Sequence, residues 1–539
     1  MNQLYYGDNL AVLRESIKDE SVDLIYLDPP FNSQATYNVL FKAPTGEQSH
    51  AQIEAFDDTW HWGESAEEAF DEVMKGGNTD AAELLRSMRS FLHENDMMAY
   101  LTMIAVRLLE LRRVLKPTGS LFLHCDPTAS HYLKILLDAI FGIDNFINEV
   151  SWRRSTRRSS ISKILRRAHD VLLFYANSSE YRFFVQHEPK SDKLIRKYSH
   201  EDEGGVYQFV PLMVSGRRNG ETGTPWRGMD PNIRGKAGLH WVTKHKTLDE
   251  YAEKGLIRFP TKPDGAPRLK YYLSQNEGIP MSDFWDDIDL INSMGNESLG
   301  YPTQKPVALL ERIVKLCTTE GDIVLDPFCG CGTTIHAAQK LNRRWIGIDI
   351  THLAISLIEK RLNDAFPGIE YEVHGTPKDL AGARDLAGRD KYQFQWWAVS
   401  LVNAIPFGGK KKGADSGIDG LIYFKNFIDG KVVTEKIVVS VKGGDNVGVA
   451  MIRDLAHVVV REKAKMGLFV TLEEPTEPMR KEAVKEGYFE SPGLKGKYLK
   501  LQIATIGDLL DGRKPELPTL APSFAQAPQE APEQGTLDV

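Results

Sequence analysis

The amino-acid sequence predicts an α/β protein built on a Rossmann-like, doubly wound parallel sheet, with a long inserted region and a second, smaller α/β unit towards the C-terminus. Three observations predict it. Short continuous apolar runs, of which Val22–Leu27 is typical, read as strands buried on both faces rather than as alternating, half-solvated ones. Stretches with helical spacing alternate with these runs, as βαβ units require. Near residue 321 the order strand, glycine-rich turn, helix, strand, acid appears, the arrangement by which open α/β sheets hold a ligand at their strand ends.

The 539 residues suffice for two or three domains with cores of their own. A 42% hydrophobic and 26% charged composition is that of an ordinary globular chain. The opening MNQLYYGDNL lacks the basic-then-apolar build of a secretory signal, and no apolar run reaches membrane-span length. Four cysteines (Cys125, Cys317, Cys329, Cys331) make neither a disulfide framework nor a zinc ribbon, so a reducing cytoplasm and no membrane partner are expected. The net charge of −8 argues against a uniformly basic nucleic-acid binder but leaves room for local basic surfaces.

Residues 1–31 read strand, helix, strand, with Asp8 closing the first strand and Asp28 the second. Asp8 or Asn9 also suits a helix N-cap. At Asp28-Pro29-Pro30-Phe31 the prolines cannot continue a ladder, so the chain leaves the sheet. Asp28 accepts hydrogen bonds, the rigid turn fixes a carbonyl beside it, and Phe31 offers a flat face. That set suits an amino group on a planar ring. Residues 41–95 read as a loop insertion, a lid or DNA-facing arm, with ordinary packing for Trp60 and Trp62 an equal alternative. Residues 97–114 form an amphipathic helix stopped by Lys116-Pro117-Thr118-Gly119; a strand follows over 120–124 and a helix over 131–141. His124 reads as a structural strand-end residue rather than a base. Arg153, Arg154, Arg157 and Arg158 open a basic stretch that by itself reads as a solvated face and that suits phosphate contact only if the core before it acts on nucleic acid, and residues 171–175 return to a buried strand.

Residues 177–300 lack the α/β alternation and carry many aromatics and glycines. Tyr301-Pro302-Thr303-Gln304-Lys305-Pro306 then leads a helix, followed by Asp326-Pro327-Phe328-Cys329-Gly330-Cys331-Gly332-Thr333-Thr334 and a strand closing at Asp349. Gly330 and Gly332 let backbone pass close to a ligand, and Asp349 suits a pair of ribose hydroxyls. The glycine spacing is not GxGxxG and no Walker lysine follows, so pyrophosphate is not the implied ligand. Cys329 and Cys331 read as small fillers of a tight turn.

Asp28-Pro29-Pro30-Phe31 resembles the catalytic motif of the amino-DNA methyltransferases, and residues 321–349 resemble their S-adenosylmethionine motif. The 298 positions separating Asp28 from Asp326, catalytic turn first, match the permuted order of the β class. Over residues 1–375 the resemblance implies methyl transfer from S-adenosylmethionine to an amino group of a flipped-out base in double-stranded DNA. Asp28, Pro29, Pro30 and Phe31 would be catalytic, and Asp8, Lys305, Asp326, Phe328, Gly330, Gly332, Thr333 and Asp349 would bind the cofactor. Residues 177–300 would recognise the target sequence. Asp at the first motif position points to adenine N6; cytosine N4 is the alternative, and no Pro-Cys nucleophile for C5 methylation is present. A homodimer or a restriction–modification partner subunit stays open.

Residues 376–390 read as a linker, 391–514 as a second domain, and 515–539 as a disordered, Pro/Ala/Gln-rich tail. Gly417-Ile418-Asp419-Gly420 and Val439-Ser440-Val441-Lys442 resemble the Mrr-like branch of the PD-(D/E)xK nucleases. By that resemblance Asp419 would be a metal acid and Lys442 the lysine of the site, with Mg²⁺ needed only if the domain cleaves. Ser440 stands where that family places Glu or Gln, and a hydroxyl is a poorer ligand for a hard cation. Both a bifunctional protein that also cuts DNA and a DNA-binding domain with an altered site follow from this.

Overall fold

The computed structural model describes residues 1–30, 36–42, 48–57, 61–154, 165, 168–188, 190–232, 238–262, 265–291, 297–299, 301, 303–407, 417–428, 431–491, 496–518 and 530. The chain divides into two compact units, residues 1–184 with 283–539, and residues 185–282. The first unit begins β1 (Asn2–Tyr6), α1 (Asn9–Ser16), β2 (Val22–Leu27), β3 (Thr36–Lys42), β4 (Gln48–Asp57), α2 (Glu64–Lys75), α3 (Thr79–Leu92) and α4 (Asp96–Val114). It continues β5 (Leu115–Cys125), α5 (Ser130–Phe141), β6 (Phe146–Arg153) and β7 (His169–Ala176). The second unit holds α6 (Asp192–Ile195), β8 (His200–Asp202), β9 (Gly205–Pro211), β10 (Met213–Ser215), β11 (Leu239–Trp241), α7 (His245–Glu253), β12 (Ile257–Arg258) and β13 (Arg268–Tyr272).

The first unit resumes with β14 (Phe284–Trp285), α8 (Val307–Cys317), β15 (Ile323–Asp326), α9 (Thr333–Lys340), β16 (Arg344–Asp349), α10 (His352–Ala365) and β17 (Tyr371–His374). Then come α11 (Leu380–Arg389), α12 (Lys391–Leu401), β18 (Ile405–Pro406), β19 (Gly420–Ile428), β20 (Lys431–Lys442), α13 (Val449–Arg461) and β21 (Met466–Thr471). It closes with α14 (Glu477–Lys485), β22 (Tyr488–Phe489), β23 (Tyr498–Leu499), β24 (Leu501–Thr505) and α15 (Ile506–Leu510).

The main sheet has the order β14-β6-β7-β5-β2-β15-β16-β1-β17. It is parallel from β5 to β17, with β7 antiparallel to both β5 and β6. This is the doubly wound α/β sheet that the alternation predicts. Two pairings matter for function. Leu24 and Ile25 lie beside Val324 and Leu325, and Tyr6 lies beside Asp349. Segments about three hundred positions apart therefore end at one sheet edge. The central strands have every side chain buried from Val22 to Leu27, as an apolar run in a covered parallel sheet must.

Residues 41–95 depart from the expected loop. After the β3–β4 hairpin, α2 and α3 turn Ala66, Ala69, Phe70, Val73, Ala81, Ala82, Leu85 and Met88 inward. They cover α4, which is buried around most of its circumference instead of along one stripe. β5 starts at Leu115, ahead of Gly119, because Leu115 pairs with Val22 across a register shift.

Residues 391–514 form a five-stranded sheet, β18-β19-β20-β21-β24, mixed in direction. One face packs on α13 through Ile452, Leu455 and Val459; the other packs on α12 through Phe394, Trp397 and Ala398. The stretch 376–390, read as a linker, contains α11, whose Ala383 and Leu386 join this second face. Within the tail 515–539, residues 519–529 and 531–539 lie outside the described residues. Glu530 pairs with His336 and Lys340 of α9.

Residues 185–282 build an antiparallel sheet, β12-β13-β9-β8, and a β10–β11 pair around Leu212, Met213, Trp226, Trp241, Leu248 and Ile257. Among the described residues no helix is long and apolar enough to cross a membrane.

Candidate active site

The loops at the carboxyl ends of β1, β2, β15 and β16 surround one cavity of about 370 Å³, a size suited to a small organic cofactor. Its walls include Asp8, Asp28, Pro29, Pro30, Lys305, Asp326, Phe328, Gly330, Thr333 and Asp349. Each sits there for a local reason. Asp8 N-caps α1 through the Leu10 N–H at 2.8 Å. Asp28 follows the last residue of β2, where Pro29 ends the strand. Gln304 holds the approach to α8 in place: its amide oxygen accepts from Leu299 N–H and its amide nitrogen donates to the Glu297 carbonyl. Lys305, thus presented, pairs its ammonium with Asp28 Oδ2, both side chains being largely buried.

At the glycine turn, Gly330 has φ +49° and a Cβ there would stand 3.4 Å from the Tyr301 ring. Its N–H donates to Asp349 Oδ2 at 2.9 Å, while Thr351 N–H and Oγ1 donate to Oδ1. Burial pushes Asp349 up to about 6 and Asp326 up to about 7. Burial also raises both Cys329 and Cys331 thiols, which leaves them protonated and inert fillers. Gly332 stands outside the cavity lining; it precedes α9 at φ +73°, where a Cβ would meet Ile358 Cγ1 at 2.8 Å.

Other residues singled out in the sequence lie elsewhere or are not described. Phe31, Arg157 and Arg158 lie outside the described residues. Arg153 is paired with Asp286 and Arg154 with Asp170, at the carboxyl end of β6, on the sheet edge where β2 and β5 also end, and neither lines the cavity. His124 is fully buried between Tyr26, whose hydroxyl is 2.8 Å from Nδ1, and Asp170, 3.2 Å from Nε2. The His124 and Arg154 partners hold Asp170 down to about 2 against its burial.

Three cavity residues carried no expectation. Arg107 reaches from α4 to Asp8 Oδ2 at 2.9 Å and Asn9 Oδ1 at 2.6 Å. Tyr26 and Tyr301 supply ring walls. The signal for Arg107 was a cation inside Ala105-Val106-Arg107-Leu108-Leu109, on a face otherwise destined for burial. The tyrosines have no signal outside the fold.

The donor set fits S-adenosylmethionine. Buried carboxylates at two strand ends suit hydroxyl and cationic groups, and the glycine turn leaves the cavity open where a side chain would fill it. The DNA methylase family matches residues 22–360, more than half of the chain. The chain belongs to the N6/N4 DNA methylase family. It is an S-adenosylmethionine-dependent methyltransferase acting on DNA. The Type II methyltransferase M.EcaI of Enterobacter cloacae is 30% identical over 67% of this chain and 69% of its own. The StyLTI Mod subunit, from a Type III restriction-modification enzyme of Salmonella typhimurium, is 28% identical over 63% of this chain. The match spans half of that subunit's length. A solved DNA modification methylase of Thermus thermophilus, complexed with S-adenosyl-L-methionine, aligns over 69% of this chain and 98% of its own. Its TM-score is 0.33 and its identity 16%.

Residues 401–511 match a restriction-endonuclease-associated family described as NACHT-associated inactive Restriction Endonuclease 1. This likeness supports the restriction-endonuclease part of the expectation and not its Mrr-like branch. Asp419 is buried, and both its carboxylate oxygens are occupied: Oδ1 accepts from Gln395 and Oδ2 from Val441 N–H at 2.5 Å. Lys442 ends β20 opposite Thr471 of β21. Among the described residues no three His, Cys, Asp or Glu side chains form a metal-holding cluster. Asp419 with Ser440 in place of a second acid does not fit Mg²⁺.

A second concavity, of about 550 Å³, lies within residues 185–282 on β9, β12 and β13. Lys197, Arg258, Lys262 and Arg268 line it with Phe209 and Phe259, and no acid among the described residues does. The Arg258 guanidinium stands 5.2 Å over Phe209.

Proposed function

We propose that the protein methylates adenine N6 at a specific sequence in double-stranded DNA, with the target base flipped into the cavity beside Asp28. The observation that carries this reading is that Asp28, Gly330 and Asp349 line one cavity, which supports an amine-accepting role for Asp28 beside a methyl-donor site. The choice of adenine rests on Asp at the head of the Asp-Pro-Pro-Phe motif, where N4-cytosine enzymes more often carry Ser. Bound S-adenosylmethionine supplies an electrophilic methyl group on a sulfonium. Asp349 would hold the ribose hydroxyls, and Asp8, itself held by Arg107, the adenine amino group. With Lys305 on Asp28 Oδ2, Oδ1 and the Pro29 carbonyl would accept the two N–H bonds of the target amine. Those bonds favour a tetrahedral nitrogen whose lone pair is no longer spread into the ring, and positioning does most of the rest. No covalent intermediate is needed.

Residues 185–282 would read the target, with phosphates held by the basic concavity. Likeness to a Mod subunit supports a place in restriction–modification, in a cytoplasm where the host DNA lies. The test is incubation of unmodified genomic DNA with labelled S-adenosylmethionine, followed by nucleoside digestion and mass spectrometry. N6-methyldeoxyadenosine, absent with Asp28→Ala, is expected. N4-methyldeoxycytidine would replace the adenine assignment, and label in neither base would overturn the reading.

A further inference from the structure

α12 lies between two acids that the sequence assigns to different activities. On one side Gln395 donates to Asp419, the acid heading the position where a nuclease would hold metal. On the other, Gln393 Oε1 accepts from the His352 N–H at 3.2 Å, and Gln393 is buried. Residues two apart on a helix project about 200° apart, so one helix serves both contacts.

The His352 N–H belongs to the first turn of α10, where backbone donors lack helical partners. Immediately before it Thr351 donates to Asp349 from backbone and hydroxyl, and Asp349 in turn receives Gly330. The His352 ring stacks on Tyr6 at 3.6 Å between centroids. Leu353 shares one buried cluster with Trp396 of α12 and with Ile405 and Leu421 of the C-terminal sheet, and Tyr301, a wall of the cofactor cavity, packs against that same cluster. An unbroken series of contacts thus runs from Asp419 to the cofactor cavity.

We propose that the restriction-endonuclease-like domain is a working part of the methyl-donor site. Asp419 anchors α12, and Gln393 of α12 fixes the Asp349–His352 turn for the cofactor. Both are positioning residues. The former metal position is retained as an anchor, which accounts for an acid kept buried beside a serine with both its oxygens occupied.

The coupling rests on the assignment of Asp349 to the cofactor, so the test separates the two. S-adenosylmethionine is titrated calorimetrically into the full chain, and KM values are measured for cofactor and DNA. Gln393→Met, which removes the acceptor at similar volume, is expected to weaken cofactor binding about five- to tenfold. It should raise KM for S-adenosylmethionine and leave kcat and KM for DNA unchanged. Gln393→Glu keeps the acceptor and is expected to retain wild-type affinity, a rescue that a merely structural role would not give. Asp419→Ala should act in the same direction, and the double variant should be no worse than the weaker single. A folded Gln393→Met with wild-type cofactor affinity overturns the proposal, as do strictly additive losses. If Gln393→Met does not fold, Leu353→Ala thins the same contact without a polar change, and the same outcomes decide. If Asp349→Asn leaves affinity intact while Gln393→Met lowers it, the ribose assignment falls and the coupling stands.

Discussion

Asp28 and Lys305 share a largely buried ion pair in the wall of a cavity also lined by Asp326 and Asp349. Four charged groups so close are tolerable only because each has a partner or a proton, since an unpaired buried charge is costly. Removing Asp28 should therefore damage the chemistry more than the binding. Asp28→Ala is expected to lower single-turnover methyl transfer by about 10²–10³-fold, the usual cost of one preorganised partner, while calorimetry finds cofactor affinity unchanged within about twofold. Asp349 makes a pH prediction. Burial holds it up to about 6, and ribose hydroxyls donate more strongly to the ionised form, whose two oxygens both accept. Bound cofactor favours the carboxylate, so affinity should strengthen as pH rises from 5 to 7 and level off above. Asp349→Asn should bind weakly with no such rise; an unchanged slope would remove Asp349 as its source. These residues were legible because each closes an apolar run. Their partners were not, since Lys305 and Arg107 reach their acids across 277 and 99 positions.

At the scale of elements, α4 shows what periodicity leaves out. Its apolar spacing correctly marks a helix, but it cannot show that α2 and α3 cover the outer face, because those two alanine- and glutamate-rich helices read as loop. Once α4 is covered, Arg107 becomes the polar link between that helix and the Gly7-Asp8-Asn9 turn. Arg107→Leu should cost about 1.5–3 kcal/mol of stability in urea unfolding, the range for hydrogen bonds to charged groups, and should weaken cofactor binding in parallel. Short strands were legible by their apolar runs, yet the adjacency of β2 and β15 was not, because nothing in either run names its neighbour. Residues 185–282 were illegible for the opposite reason. Their strands are short and half-buried, and the basic concavity gathers Lys197 from before β8, Arg258 from β12 and Arg268 from β13. Arg258→Ala and Arg268→Ala should each weaken DNA binding about uniformly across sequences and lower the slope of log K against log salt by about 1. Fluorescence anisotropy over a salt series checks this, and a sequence-selective loss would point to base reading.

For the whole molecule, a chain of net charge −8 binds a polyanion through the local concentration of cations, not through its total. Its second domain raises the question of a second activity. Cleavage by a metal-dependent nuclease needs at least two hard oxygen ligands free to face the ion, and Asp419 here spends both oxygens on Gln395 and Val441 while Ser440 is neutral. Restoring an acid alone should not suffice, because the Asp419 carboxylate would still be tied into the helix that supports the cofactor turn. Unmethylated DNA incubated with the full chain and Mg²⁺ or Mn²⁺ is therefore expected to remain intact on a denaturing gel, for the wild type and for Ser440→Glu alike, while the same preparations methylate it. Metal-dependent cutting by the wild type would show that Asp419 exchanges its present partners for an ion, and cutting by Ser440→Glu alone would show that the missing acid was the sole barrier.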